Sequence, residues 1–403
     1  MRLFSALSRR NLFRAGWLMA LTQGRSIQAA STPGIYKRLG VRPCINAVGT
    51  LTTLSGSLMP KEVLQAMEEA SHSFVRIHEL QDKAGKRLAE LTGAEAAFVT
   101  AGASASLCLA TCAVTAGKDP AIINQLPDLT GMPNEIVIQS RHRNSYDHAF
   151  RMVGVKLVEV ETAEQMRRAI GDRTAAVAMV LSHNTMGHKV ELDEVIAIAH
   201  GAGKPVILDA AAELPPADNL SKFIRMGTDL VAFSGGKNLR GPQCSGLLLG
   251  RRDLIEAAYA NSSPNNRFAR IAKVGKEEIV GLLVAVELYL KRDHEAERRG
   301  WYAMLDRVGE RLRGVPTLKT EYITNADYSH TPRLSVQWDE ARLGVTLDQM
   351  VQRLRDGNPS IEASDMTKYR PAWKGLGIFP YNLLPGEELI VADRVREILT
   401  TKA

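Results

Sequence analysis

Lys237 closes the run Leu230–Val231–Ala232–Phe233–Ser234–Gly235–Gly236–Lys237, an apolar stretch ending in a Ser-Gly-Gly turn. Two glycines beside a lysine allow backbone and ligand to approach closely. At the mouth of a buried strand the amine is partly desolvated, which favours the neutral form a nucleophile needs. Upstream, Pro205–Val206–Ile207–Leu208–Asp209 is a second apolar run, ending in a carboxylate. Strand-Asp followed by strand-Ser-x-x-Lys suits pyridoxal 5'-phosphate (PLP). The lysine forms a Schiff base and the aspartate pairs with the pyridinium nitrogen. A solvated lysine after a turn and a helix-capping aspartate is the plainer alternative, and the agreement of several independent pieces speaks against it.

The other pieces fall after further apolar runs. Ala101–Gly102–Ala103–Ser104–Ala105–Ser106 is a small-residue turn ahead of a helical stretch, Leu107–Thr115. Free backbone N–H groups of Gly102, Ala103 and Ser104, with the positive end of the helix dipole, can hold a phosphate. His142, in Ser140–Arg141–His142–Arg143–Asn144–Ser145–Tyr146, supplies either a ring to stack on the cofactor or a satisfied hydrogen-bonding histidine, with Tyr146 the rival stacker. Asn184 can bond the phenolic oxygen of PLP or serve as an ordinary turn asparagine. Ser234, three residues before the lysine, reaches the phosphate or needs no role.

Arg141, Arg143 and Arg240 add positive charge to the same rim, and Arg333 follows a proline at the head of a later strand. At about 4 Å and an effective dielectric near 20, each pair with a phosphate or carboxylate contributes a few kcal/mol. Any one of them alone reads as a solvated surface arginine; together, Arg141, Arg240 and Arg333 are the candidates for anchoring an anionic substrate.

These groups need strands to present them. Ala96–Thr100, Glu135–Gln139, Lys156–Val160, Ala176–Leu181, Val206–Asp209, Leu230–Phe233 and Gly246–Leu249 are short apolar runs with helical patterns between most of them, such as Ala163–Ile170, Leu192–His200 and Leu220–Arg225. The alternation predicts an α/β fold with a seven-stranded, mostly parallel sheet covered on both faces. Ligands of such sheets lie outside the carboxyl ends of the strands, where the candidate residues fall.

After Arg251 the texture changes. Lys276–Lys291 reads as merging into Arg292–Arg311, one charged bridging helix; strands at Leu318–Ile323 and Arg333–Trp338 and a helix at Leu347–Asp356 follow, and Pro385–Lys402 is the last helix. The division expected is 1–30 as an export signal, 31–60 as a lead-in, 61–275 as the large cofactor-binding domain, and 276–403 as hinge helix and smaller α+β domain. Ser8–Arg9–Arg10–Asn11–Leu12–Phe13–Arg14 carries a twin arginine ahead of a short apolar stretch and Ala29–Ala30–Ser31, which points to twin-arginine export and a periplasmic or secreted enzyme, a cytoplasmic one being the alternative.

Composition narrows the partners. The 403 residues are 45% hydrophobic and 24% charged, with a formal charge of +7. No basic block or basic-aromatic interleaving accompanies that excess, so it favours small anionic substrates over nucleic acid. Cys44, Cys108, Cys112 and Cys244 lack metal-ligand or disulfide spacing. No run is long and apolar enough for a convincing membrane span.

Leu91–Thr92–Gly93–Ala94–Glu95–Ala96–Ala97, Phe233–Ser234–Gly235–Gly236–Lys237 and Arg240–Gly241–Pro242–Gln243–Cys244–Ser245–Gly246 resemble the selenocysteine synthase (L-seryl-tRNA selenium transferase) family, and look closer to its tRNA-independent members such as the D-glucosaminate-6-phosphate ammonia-lyases. The resemblance covers the chain from about Tyr36. It implies an aspartate aminotransferase-like, fold-type I PLP enzyme, a homodimer or larger, with Lys237 as Schiff-base lysine and Asp209 at the pyridine nitrogen. It implies α,β-elimination from an amino acid or amino sugar acid, with Lys237 removing the Cα proton. A class V-type aminotransferase, a selenium transferase or a non-catalytic PLP-fold binding protein are the other readings.

Overall fold

The computed structural model describes residues 34–182, 185, 187–325, 329–368 and 372–401. The twin-arginine segment and Asn184 lie outside the described residues. The described residues form thirteen strands, in chain order: β1 (Cys44–Asn46), β2 (Ala96–Thr100), β3 (Glu135–Gln139), β4 (Lys156–Val160), β5 (Thr174–Val180), β6 (Val206–Asp209), β7 (Leu230–Ser234), β8 (Gly246–Gly250), β9 (Lys319–Asn325), β10 (Ser329–Gln337), β11 (Ser360–Glu362), β12 (Ser364–Asp365) and β13 (Leu376–Ile378). Among the described residues β2 to β8 form one seven-stranded sheet in the order β2-β8-β7-β6-β5-β3-β4. All its pairings are parallel except those of β8, which runs against both β7 and β2.

The sheet is buried on both faces because its inner strands are apolar at successive positions rather than at alternate ones, while the edge strand β4 exposes Lys156 and Glu159. Val177 and Met179 of β5 and Val231 and Phe233 of β7 pack into one core. Ala176, Ala178, Leu230 and Ala232, one residue out of phase, pack into the core on the other side. The Leu192–Gly201 and Lys276–Lys291 helices cover the first face, and the Ala103–Ala116 helix, made almost wholly of small and apolar residues, covers the second.

The smaller α+β unit has its own core, from Leu305, Val308, Leu334, Val336, Ile361, Ile378 and Val391. Its antiparallel sheet runs β12-β13-β10-β9. The lead-in joins it: β1 pairs in parallel with β11, and Ile45 and Ala47 lie in the same core.

Three expectations are corrected. The bridging helix is two helices, Lys276–Lys291 and His294–Leu312, because the Asp293 side chain accepts the Ala296 N–H at 2.8 Å and caps a new start. The helix after β2 begins at Ala103, so Ala103 and Ser104 are its first turn and the loop shrinks to Ala101–Gly102. Arg333 sits mid-strand in β10, next to an irregularity in the β9 pairing between Ser329 and Arg333 that accommodates Pro332.

Asp229, just before β7, ties the far end of the sheet together. Its carboxylate accepts the Val206 N–H at 2.8 Å, pairs with His200 Nε2 at 2.8 Å and takes Arg251 at 3.1 Å, while only 4% exposed. Asp229→Ala leaves the buried Val206 N–H without an acceptor, a cost of about 2 kcal/mol. The expected outcome is a lower urea midpoint with the site at the other end of the strands unaltered.

Candidate active site

Sheet register brings the candidate residues to one rim. Thr100 of β2, Gly246 of β8 and Ser234 of β7 stand side by side, Ala232 of β7 faces Asp209 of β6, and Asp209 faces Val180 of β5. β8 enters the rim with its amino end, and a glycine is needed there. A Cβ at Gly246 would sit 2.4 Å from the carbonyl carbon of Gly102 and 2.6 Å from its oxygen. Gly102 itself has φ +111°, outside the range that other residues adopt readily. The first helical hydrogen bond is Ser106 N–H to Gly102 carbonyl, at 3.0 Å, so the N–H groups of Ala103, Ser104 and Ala105 lack helical acceptors.

The lysine turn is pinned from several sides. The Gly235 N–H donates to the Ser245 carbonyl at 2.9 Å, and the Gly241 N–H to the Gly235 carbonyl at 2.8 Å. Ser57 of the lead-in donates to the carbonyls of Gly236 at 3.0 Å and Lys237 at 2.7 Å. Gln243 reaches the Thr52 carbonyl and Asn382 the Gly56 carbonyl. The Lys237 backbone therefore has little freedom.

Burial lowers the Lys237 amine below the usual lysine range, with the carboxylates of Asp209 and Glu213 pulling it partly back. Burial raises Asp209, against the Ala211 N–H that its carboxylate accepts at 3.0 Å and against Lys237. Glu213, four residues on in the same loop and 2% exposed, is pushed up to about 7 by burial, with Lys237 drawing it down, Asp209 driving it up and Arg333 drawing it down. Among the described residues its Oε2 has no hydrogen-bond partner.

Lys237 and Glu213 open into a cleft of about 150 Å³ between the two units, shared with Thr50 and Thr52 of the lead-in, Tyr146, and Arg333 and Tyr381 of the small unit. Arg333, 7% exposed, lies with its guanidinium 5.0 Å from the Trp373 ring centre and 5.1 Å from that of Phe379. Cation–π contacts of this kind hold a guanidinium in place.

Other sequence candidates lie differently. His142 is fully buried, accepts the Val180 N–H on Nδ1 at 3.4 Å, and meets His188 edge-on at 5.0 Å. Burial pushes its pKa down to about 3, with His188 and Arg141 adding to the shift, so the ring is neutral; among the described residues its Nε2 has no hydrogen-bond partner. Tyr146 rather than His142 lines the cleft. Arg240 is drawn into the domain junction, to Glu297 at 3.1 Å and the Tyr381 carbonyl at 3.3 Å. Arg141 is exposed, and Arg143 is held by Asp147 and Glu159. The reading from sequence missed Glu213, whose only signal is its place in the loop after Asp209, and Trp373 and Tyr381, which carry none.

The donor set fits PLP. A desolvated amine serves the aldehyde, a buried carboxylate with a single neutral donor calls for a cationic N–H such as pyridinium, and the open helix start at the same rim suits a phosphate.

Comparison with known proteins agrees. The family model of L-seryl-tRNA selenium transferase matches residues 44–346. A D-glucosaminate-6-phosphate ammonia lyase of Salmonella typhimurium is 32% identical over 91% of this chain and 98% of its own. The solved structure of a D-glucosaminate-6-phosphate ammonia-lyase superposes with a TM-score of 0.80 at 31% identity, covering 91% of this chain and 98% of that one. A 5'-C-glycyluridine monooxygenase-decarboxylase of a Streptomyces species is 34% identical over 90% of this chain and 92% of its own. An L-seryl-tRNA(Sec) selenium transferase of Rhizobium meliloti is 30% identical over 68% of this chain, which spans 62% of that relative. The architecture is the aspartate aminotransferase-like fold type I.

Gly246→Ala tests the packing beneath the helix start. The added methyl drives the Gly102 turn outward at a cost of about 1–3 kcal/mol. The expected result, by fluorescence titration with PLP, is affinity weakened about tenfold or more in a protein of unchanged helix content; unchanged affinity would place the phosphate elsewhere.

Proposed function

The chain belongs to the L-seryl-tRNA selenium transferase family, and from that premise we propose that it is a PLP-dependent lyase releasing ammonia from an amino acid or amino sugar acid. The observation that carries this reading is the desolvated Lys237 amine, set beside Asp209 and opening on a cleft whose far wall carries Arg333. When bound, PLP supplies an electron sink for the charge left at the substrate's Cα.

The protein's own groups do the rest. Lys237 would hold the cofactor through its amine, and that same amine, when neutral, would take the Cα proton. Its lowered pKa keeps a larger neutral fraction at pH 7 than an exposed lysine has. The Asp209 carboxylate would pair with the cofactor's ring nitrogen and keep it protonated. Arg333, fixed between Trp373 and Phe379, orients the substrate by its carboxylate. The Ala103–Ser104 helix start takes the phosphate. Thr50 and Thr52 on one wall and Tyr381 on the other narrow the cleft and keep bulk water from the freed amine.

The extent of the match supports a lyase over selenium transfer, since the chain spans nearly the whole ammonia lyase and less than two thirds of the selenium transferase. The test is a screen of amino acids and amino sugar acids for ammonia and 2-oxo acid without an added amino acceptor. Release that needs no acceptor supports the lyase; strict dependence on a 2-oxo acid acceptor makes the enzyme an aminotransferase. With an active substrate, Arg333→Ala is expected to lower kcat/KM about ten- to a hundredfold, the loss of one charged hydrogen-bonding partner.

A further inference from the structure

Glu213 is buried, and among the described residues Oε2 of its carboxyl makes no hydrogen bond. Its backbone N–H and carbonyl are satisfied, by the Ala210 carbonyl at 3.1 Å and the Asn219 side-chain amide at 2.6 Å. The side chain, nearly sealed from solvent, nevertheless lines the cleft, and among the described residues its Oε2 has no hydrogen-bond partner. The charged groups facing it are Lys237 and Asp209 from the large unit and Arg333 from β10, with the hydroxyls of Tyr146 and Tyr381 on the same cleft. A glutamate kept only for packing would be replaced without loss by an apolar residue, since an unpartnered buried polar group costs about 1–3 kcal/mol.

We propose that Glu213 is a second proton-carrying group of this site, giving its carboxyl proton to the oxygen that departs from the substrate's Cβ while Lys237 keeps the proton taken from Cα. The assignment rests on the ammonia-lyase reading. An amino sugar acid carries a hydroxyl on the carbon next to the amine-bearing one, and hydroxide is a poor leaving group unless it is protonated as it goes.

The step balances. Lys237 accepts the Cα proton, and the electron pair of the Cα–H bond becomes the Cα=Cβ bond. The Cβ–O bond breaks with its pair on oxygen, which takes the Glu213 proton and leaves as water. Glu213 is left as a carboxylate facing the Lys237 ammonium, which returns the proton. The resulting enamine, once released, tautomerises to an imine and consumes one water to yield ammonia and a 2-oxo acid, with no change of oxidation state overall. Burial, which pushes the Glu213 pKa up to about 7, leaves a proton available at neutral pH where an ordinary glutamate has none.

The test compares PLP-loaded parent and Glu213→Gln, a near-isosteric change, with loading and folding checked by absorbance and circular dichroism. Infrared difference spectra across a pH titration need no substrate. A carboxyl band ionising near neutral pH in the parent and missing from the variant is expected; a band ionising only at the ordinary pH of glutamate would overturn the assignment. In D2O with D-glucosaminate 6-phosphate as probe, Glu213→Gln is expected to keep washing out the Cα hydrogen while ammonia release falls about a hundredfold or more. Exchange and release falling together would mean a structural residue and sink the proposal. A parent that loads PLP yet releases no ammonia from any substrate refutes the lyase reading, while the infrared result still decides whether Glu213 carries the proton.

Discussion

An amine held out of water between two buried carboxylates is the constraint on which the rest of this structure depends. Free in solution, Lys237 would be an ammonium and no nucleophile. The fold removes its water by seating it after a buried, largely apolar strand, and supplies Asp209 from the neighbouring strand β6 and Glu213 from the loop after β6. Charges at close range in a poorly polarisable setting interact strongly, so the protonation state of each of the three depends on the other two.

The architecture serves that cluster. Parallel strands deliver their carboxyl ends to one rim, and the single reversed strand, β8, enters it through Gly246 so that the Gly102 turn can close over it. The lead-in strand β1 is stitched into the small unit, while Ser57, further along the lead-in, clamps the lysine turn of the large one. Substrate would therefore meet a cleft whose walls come from three separate parts of the chain, and Arg333 is braced by aromatic rings from the last of them.

Much of this was legible in the sequence because it is local. Lys237 and Asp209 announce themselves through an apolar strand followed by a polar residue, and the strands between them are read from unbroken runs of Val, Ile, Leu and Ala. Arg240 illustrates the limit: beside the lysine in sequence, it is turned by a left-handed backbone (φ +58°) toward Glu297 in the hinge helix. Glu213 illustrates the converse. Nothing in Ala211–Ala212–Glu213–Leu214 marks it as more than a loop carboxylate; its meaning arises only when the loop folds under the cleft and β10 brings Arg333 across. The break at Asp293 was hidden for a similar reason, since charged residues on both sides mimic a continuous solvated helix and only the cap shows the restart.

The central claim is that Lys237 carries the cofactor. Incubating the protein with PLP, reducing it with borohydride and mapping the labelled peptide by mass spectrometry tests this most directly. The account predicts a single pyridoxyl group on Lys237, absent from Lys237→Ala. Label scattered over surface lysines, or none retained by the parent, would contradict it.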